Sequence, residues 1–166
     1  MVDEIRRRHD RIDLLIHAAG AEISHRLPDK SEREFDLVFE VKSRGWFHLL
    51  RAVGEMTLGA VLVFSSIAGR FGNAGQSDYC AGNDLLCKLT SNLRSTRPET
   101  RGIAIDWTAW SELGMASRGS IPKMMALAGI EMLSPTVAIP VVRRELAAGF
   151  RGEVVIAGGL GALLEE

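Results

Sequence analysis

Residues 59–94 read GAVLVFSSIAGRFGNAGQSDYCAGNDLLCKLTSNLR, and they decide the fold. The stretch opens on an uninterrupted apolar run, 59–66, breaks into a glycine-spaced loop, 67–78, and continues with helical period from Tyr79 to Arg94. Continuous rather than alternating hydrophobicity predicts a strand covered on both faces, as in a parallel sheet. Three further runs share that character: IDLLIHAAG at 12–20, RGIAIDW at 101–107 and GEVVIAGG at 152–159.

Helical period fills the intervals. In 31–53 the apolar residues Phe35, Val38, Phe39, Trp46, Leu49, Leu50 and Val53 form one stripe, and Ser31 with Glu34 reads as a capping box. In 134–149, Ser134 and Pro135 suit a helix start and Gly149 its end. The alternation predicts a single α/β domain over 1–166, with a parallel sheet and right-handed crossovers. The connection 108–133 carries Met115, Met124 and Met125. It reads either as an adaptable lid or as the ordinary core of a short helix.

Composition excludes several classes. A net charge of −1 over 166 residues gives no electrostatic reason for nucleic acid or a membrane surface as partner. Cys80 and Cys87 suggest neither a disulfide framework nor a zinc site, and His17, His25 and His48 show no metal-ligand spacing. The opening MVDEIRRRHDRID has no apolar signal region, and no run approaches the roughly 20 apolar residues of a membrane helix. The expectation is a cytoplasmic protein without a metal.

Tyr79, the one tyrosine of the chain, follows the loop that leaves Ser65 and Ser66 at a strand's carboxyl end. Ligands of open α/β sheets sit at such ends. A tyrosine hydroxyl beside an ammonium can donate a proton to a developing alkoxide, and a serine hydroxyl can hold the same oxygen. Lys88 falls nearly on the opposite side of the helix from Tyr79. Lys42 lies on the apolar stripe of the preceding helix, either snorkelling at its margin or held there by partners. The chain has no G-x-G-x-x-G after a strand.

FSSIAGRFGNAGQSDYCAGN (64–83) followed by DWTAWSELGMA (106–116) resembles the ketoreductase domains of multidomain polyketide synthases and related polyunsaturated fatty-acid synthases. These belong to the short-chain dehydrogenase/reductase superfamily. The resemblance runs from about Ile12 to the C-terminus. Most of that superfamily carries Tyr-x-x-x-Lys with an asparagine on the preceding helix. This ketoreductase branch exchanges the two, as Lys42 and Asn83 do here.

The resemblance implies a Rossmann-like, doubly wound parallel sheet lacking its first three strands. It implies NADPH-dependent reduction of a β-ketoacyl thioester on an acyl carrier protein, with Lys42, Ser66, Tyr79 and Asn83 as catalytic residues. Tyr79 would protonate the carbonyl oxygen, Ser66 would hold it, Lys42 would lower the tyrosine's pKa, and Asn83 would help bind the nicotinamide ribose. Cofactor-binding positions would be His17, Ala18, Ala19, Gly20, Ser65, Trp107 and Thr108. The lid, about 108–133, would bring Trp110 and Met115 to the substrate, with Phe71 and Gln76 beside them.

The glycine-rich first half of such a domain is missing from this sequence. That leaves strand 12–19 as an edge expected to pair with another chain, a second copy or the rest of a synthase. Glu22, Ile23 and Ser24 stand where one ketoreductase type has Leu-Asp-Asp, and Phe71 where the other has tryptophan, so product handedness is not legible. A non-catalytic reductase-like scaffold, an NADPH-binding module and a free-standing dehydrogenase are the rival readings.

Overall fold

The computed structural model describes residues 1–115 and 121–163. Four strands, β1 (Arg11–His17), β2 (Thr57–Ser66), β3 (Arg101–Trp107) and β4 (Gly152–Ile156), form one parallel sheet in the order β1-β2-β3-β4. In register, Val63 lies opposite His17 and Ala104, and Ser66 opposite Trp107. Val61, Leu62 and Val63 are all fully buried, which is why the run shows no alternation.

Among the described residues six α-helices accompany the sheet: α1 (Val2–His9), α2 (Glu32–Val53), α3 (Ile67–Phe71), α4 (Ser77–Thr96), α5 (Ile121–Leu127) and α6 (Pro135–Ala147). The capping box of α2 is formed: Ser31 Oγ accepts from the Glu34 N–H, and the Glu34 carboxylate accepts from the Ser31 N–H at 2.9 Å. One face of the sheet packs Val61, Val63 and Ala104 under Trp46 and Val53 of α2 and Leu86 and Leu93 of α4. The other packs Leu62, Ile103 and Ile105 under Ala138, Val141 and Val142 of α6.

That arrangement corrects the expected crossovers. All three strand-to-strand steps run in one direction, yet α2 and α4 lie on one face and α6 on the other. The β3–β4 crossover therefore has the opposite hand to the first two. The long connection after β3 permits this, because the chain turns around the carboxyl edge before descending as α6. Its two ends are joined: Leu133 N–H donates to the Ala109 carbonyl and Ser111 N–H to the Leu133 carbonyl, both at 2.9 Å.

α3 lies inside what the sequence suggested was loop. It approaches α4 so closely that a Cβ on Gly69 would stand 2.9 Å from Asn83 Cβ. β1 is an edge strand, and its outer face leaves Leu14 and Ile16 36% and 48% exposed. Among the described residues no helix is long and apolar enough to cross a membrane. Residues 116–120 of the expected lid, and the side chain of Met124, lie outside what is described.

Candidate active site

The carboxyl end of β2 distributes three residues by the alternation of a strand. Phe64 faces the α6 side, where its ring meets Trp107 at 5.5 Å and Trp110 at 6.3 Å between centroids. Ser65 faces α4 and donates to the Asn83 carbonyl at 3.3 Å. Ser66 ends the strand and caps α3, its Oγ accepting the Ala68 N–H at 3.2 Å. That bond occupies a lone pair and fixes the hydroxyl's position.

Tyr79 stands in the first turn of α4 and lines the same pocket as Ser66. Asn83, one turn on, donates through Nδ2 to the Tyr79 carbonyl at 2.8 Å. Its Oδ1 is buried and has no hydrogen-bond partner among the described residues. Lys42 projects from α2 to the same end of the sheet and donates from Nζ to the Phe64 carbonyl at 2.7 Å. It is 4% exposed, and burial pulls its pKa down from 10.5 to about 8. The buried-stripe lysine is thus a partnered one. Lys88, by contrast, pairs with exposed Asp84 at 2.7 Å.

These groups surround a cavity of about 410 Å³. Lys42, Ser66 and Tyr79 line it, as do Ala18, Gly20, Ser65, Trp107 and Thr108, and so do Gln76, Trp110 and Met115. Four anticipated positions lie off its wall. Asn83 is buried behind Tyr79, and Phe71 is 39% exposed at the end of α3. Ala19 is not part of the wall that Ala18 and Gly20 form. His17 points into the β1–α2 interface, where its Nε2 lies 3.0 Å from the Lys42 carbonyl. A carbonyl only accepts, so Nε2 carries the proton. Burial keeps the ring neutral, and its role is to fix the backbone of Lys42.

Lys42 is not among the groups that shift Tyr79 in this structure. Burial, the largest influence, raises the tyrosine's pKa, and the Glu22 carboxylate adds to the rise while Ser66 and Asn83 oppose it. The Lys42 ammonium is engaged with the Phe64 carbonyl instead.

Two constructions around the pocket escaped sequence reading. Lys30 Nζ donates to Asp78 Oδ2 at 2.7 Å and to the Ile23 carbonyl at 2.6 Å, with both charged side chains essentially inaccessible. Asp78 Oδ1 accepts the N–H of Tyr79 at 2.9 Å, so the pair anchors the tyrosine's turn to the loop after β1. Nearby, Gln76 Nε2 donates to Glu22 Oε1 at 3.0 Å, and Asn73 Nδ2 donates to Gln76 Oε1 at 2.8 Å.

Beneath the site, Cys87 Sγ, an Asp106 oxygen and a Glu153 oxygen lie within 4.8 Å of one another. Burial, chiefly, pushes the thiol up to about 12 and the Asp106 carboxyl up to about 6. A thiol that keeps its proton is a hydrogen-bond donor, here 3.3 Å from Asp106 Oδ1, rather than a metal ligand. The neighbouring Glu153 carboxylate raises Asp106 further.

Fold and site together define an α/β protein with a pocket at the carboxyl ends of its strands, walled by serine and tyrosine hydroxyls and a buried lysine. The family model described as KR domain matches residues 1–112, and the chain belongs to that family. It is 30% identical over 151 residues to polyketide synthase GfsA of Streptomyces halstedii and 26% identical over 163 residues to polyketide synthase PksN of Bacillus subtilis. These matches take in 90% and 95% of the chain but 2% and 3% of the relatives' own lengths. Among solved structures it resembles a ketoreductase domain from the bacillaene assembly line, with a TM-score of 0.85 and 24% identity. That match covers 98% of this chain and 40% of the other. The ketoreductase from the first module of phoslactomycin biosynthesis in Streptomyces sp. HK803 gives a TM-score of 0.83 at 25% identity, over 94% and 35% of the two chains.

Proposed function

We propose that this chain is the catalytic half of a cytoplasmic, NADPH-dependent ketoreductase of the short-chain dehydrogenase/reductase type. It reduces a β-ketoacyl thioester, carried on an acyl carrier protein, to the β-hydroxyacyl thioester within a polyketide or related fatty-acid synthase. One observation carries the reading: Ser66, Tyr79, Lys42 and Trp107 line one cavity.

The residues present suit the nicotinamide–ribose end of such a cofactor. Trp107, on the cavity wall, carries a buried Nε1 without a partner among the described residues. Lys42, with one donor on Phe64, has two more to offer a ribose hydroxyl. Bound there, the cofactor supplies the hydride. Tyr79, which burial keeps protonated at neutral pH, gives its proton to the carbonyl oxygen as that oxygen becomes an alkoxide. Ser66, already fixed by the Ala68 N–H, donates to the same oxygen and holds it beside the tyrosine. Trp107 and Trp110, edge to face at 5.2 Å, form a rigid apolar wall against which the acyl chain lies. Groups for the pyrophosphate come from outside these residues, and the open edge of β1 is where the remainder of the synthase, or a second copy, joins the sheet.

The test is Tyr79→Phe in the full-length protein, assayed on a β-ketoacyl N-acetylcysteamine thioester. Loss of the proton donor lowers kcat by about a hundredfold to ten-thousandfold while NADPH affinity stays near wild type. Reduction at the wild-type rate refutes the mechanism. A wild-type protein that binds NADPH without turnover is a binding module instead.

A further inference from the structure

The loop after β1 presents Glu22 to the same cavity as Tyr79, Gln76 and Lys42. Its carboxylate is held from several sides. Gln76 Nε2 donates to it at 3.0 Å, and the Ser24 hydroxyl donates to the same oxygen. Gln76 is itself fixed by Asn73. The loop's backbone is tied down by His25 N–H to the Gly75 carbonyl at 3.0 Å and by Lys30 to the Ile23 carbonyl.

Two basic groups nearby are committed to other carboxylates, Lys30 to Asp78 and His25, at 3.1 Å, to Glu34. Lys42, on the same cavity wall, gives one donor to the neutral Phe64 carbonyl and forms no ion pair with Glu22. Among the described residues no salt bridge joins Glu22 to a cation. Amide and hydroxyl donors hold the charge in place without cancelling it. The rest of the wall includes Trp107, Trp110, Ala68 and Met115, which do not screen it either.

We propose that Glu22 is a specificity-determining residue: its fixed carboxylate admits β-carbonyl compounds whose acyl end is a neutral thioester or ester, and turns away free β-keto carboxylates. The inference rests on the ketoreductase reading of the pocket. A second negative charge brought to a fixed one across a low-dielectric cavity meets repulsion that water only partly screens, whereas a thioester meets none. The same carboxylate acts on the hydroxyl of Tyr79. Together with burial and with Cys80 on α4, and against the Ser66 and Asn83 contacts, it favours the proton-bearing form that reduction requires. Asp78 adjoins Tyr79 through its backbone N–H, and Lys42, from α2, faces the cavity from the Phe64 side.

The variant is Glu22→Gln, whose amide oxygen still accepts from Gln76 and so keeps the loop in place. In the full-length protein, kcat/KM is compared for acetoacetate and for acetoacetyl N-acetylcysteamine. The ratio of free acid to thioester rises at least tenfold in Glu22→Gln and stays close to wild type in Glu22→Asp. A second readout needs no catalysis. Tyr79 is the only tyrosine in this chain, so phenolate absorbance of the 166-residue chain reports it alone, and its titration midpoint falls in Glu22→Gln. An unchanged substrate ratio in an active enzyme overturns the proposal. If the wild type reduces neither substrate, the ketoreductase reading fails, and the titration still decides: an unmoved midpoint overturns the link between Glu22 and Tyr79.

Discussion

Lys42→Met separates what the pocket needs from what the fold prefers. The wild-type ammonium is 4% exposed, and burial lowers its pKa from 10.5 to about 8. The unfolded chain therefore binds more protons than the native one across that window. Wild-type stability accordingly rises as pH climbs from about 8 toward 10.5, and the cost of burying the charge is fully present below pH 8. That cost is about 3 kcal/mol at pH 7 and falls to about 1.4 kcal/mol at pH 9.5. Methionine fills similar space and carries no proton. The stability difference between the two proteins should thus move by about 2 kcal/mol in favour of wild type between those pH values. Urea titrations of the cofactor-free protein, followed by the fluorescence of its three tryptophans, measure this at each pH. Other titrating groups cancel in the comparison. Parallel pH profiles for the two proteins would refute the argument, because they would mean that the ammonium is solvated in the native state.

Two more outcomes follow from buried charges. Lys30→Met strips Asp78 of its partner in a site where both side chains are inaccessible, and should cost about 3–5 kcal/mol. A loss below about 1 kcal/mol in the same urea assay would place the pair in the class of exposed bridges. Asp106 has a native pKa raised to about 6, so the native state keeps a proton that the unfolded chain releases, and stability falls as pH rises from about 4 to about 6. Asp106→Asn should abolish that fall and be roughly 1–3 kcal/mol more stable than wild type at pH 7, with no advantage at pH 4. Thermal unfolding at the two pH values distinguishes these outcomes.

The sheet was legible because burial on both faces leaves a signature in composition alone. Val61, Leu62 and Val63 could not belong to a one-sided strand. The start of α2 was legible because Ser31 and Glu34 satisfy each other's backbone within four residues of chain. Ser66, Tyr79 and Lys42 do converge on one pocket, although the resemblance, not the spacing, brought them together. Other features need distances the sequence does not display. Lys30 and Asp78 are 48 positions apart, and Glu22 and Gln76 are 54, so no local pattern announces either contact. α3 is five residues long, too short to show a helical period. The hand of the last crossover depends on which face α6 covers, and α6 carries apolar residues enough for either. His17 could have been read better. It shares a sheet face with Leu15, beneath α2, and Ala18 and Gly20 fall on alternate positions.

The paired ends of the connection after β3 have a consequence for exchange between proteins. Ala109 and Ser111 are hydrogen-bonded to Leu133, and Ala128 and Glu131 are bonded to Ala162 and Gly159, so both ends of the connection are fixed to the body. A segment held in this way can change length or composition without altering the register of β3 or the seating of α6. Closing a loop twice as long costs only about 0.6 kcal/mol more. On the proposed reading the reacting groups sit on β2 and α4, apart from this connection, so replacing residues between Ala109 and Leu133 should alter acyl-chain preference and leave the proposed proton donor in place.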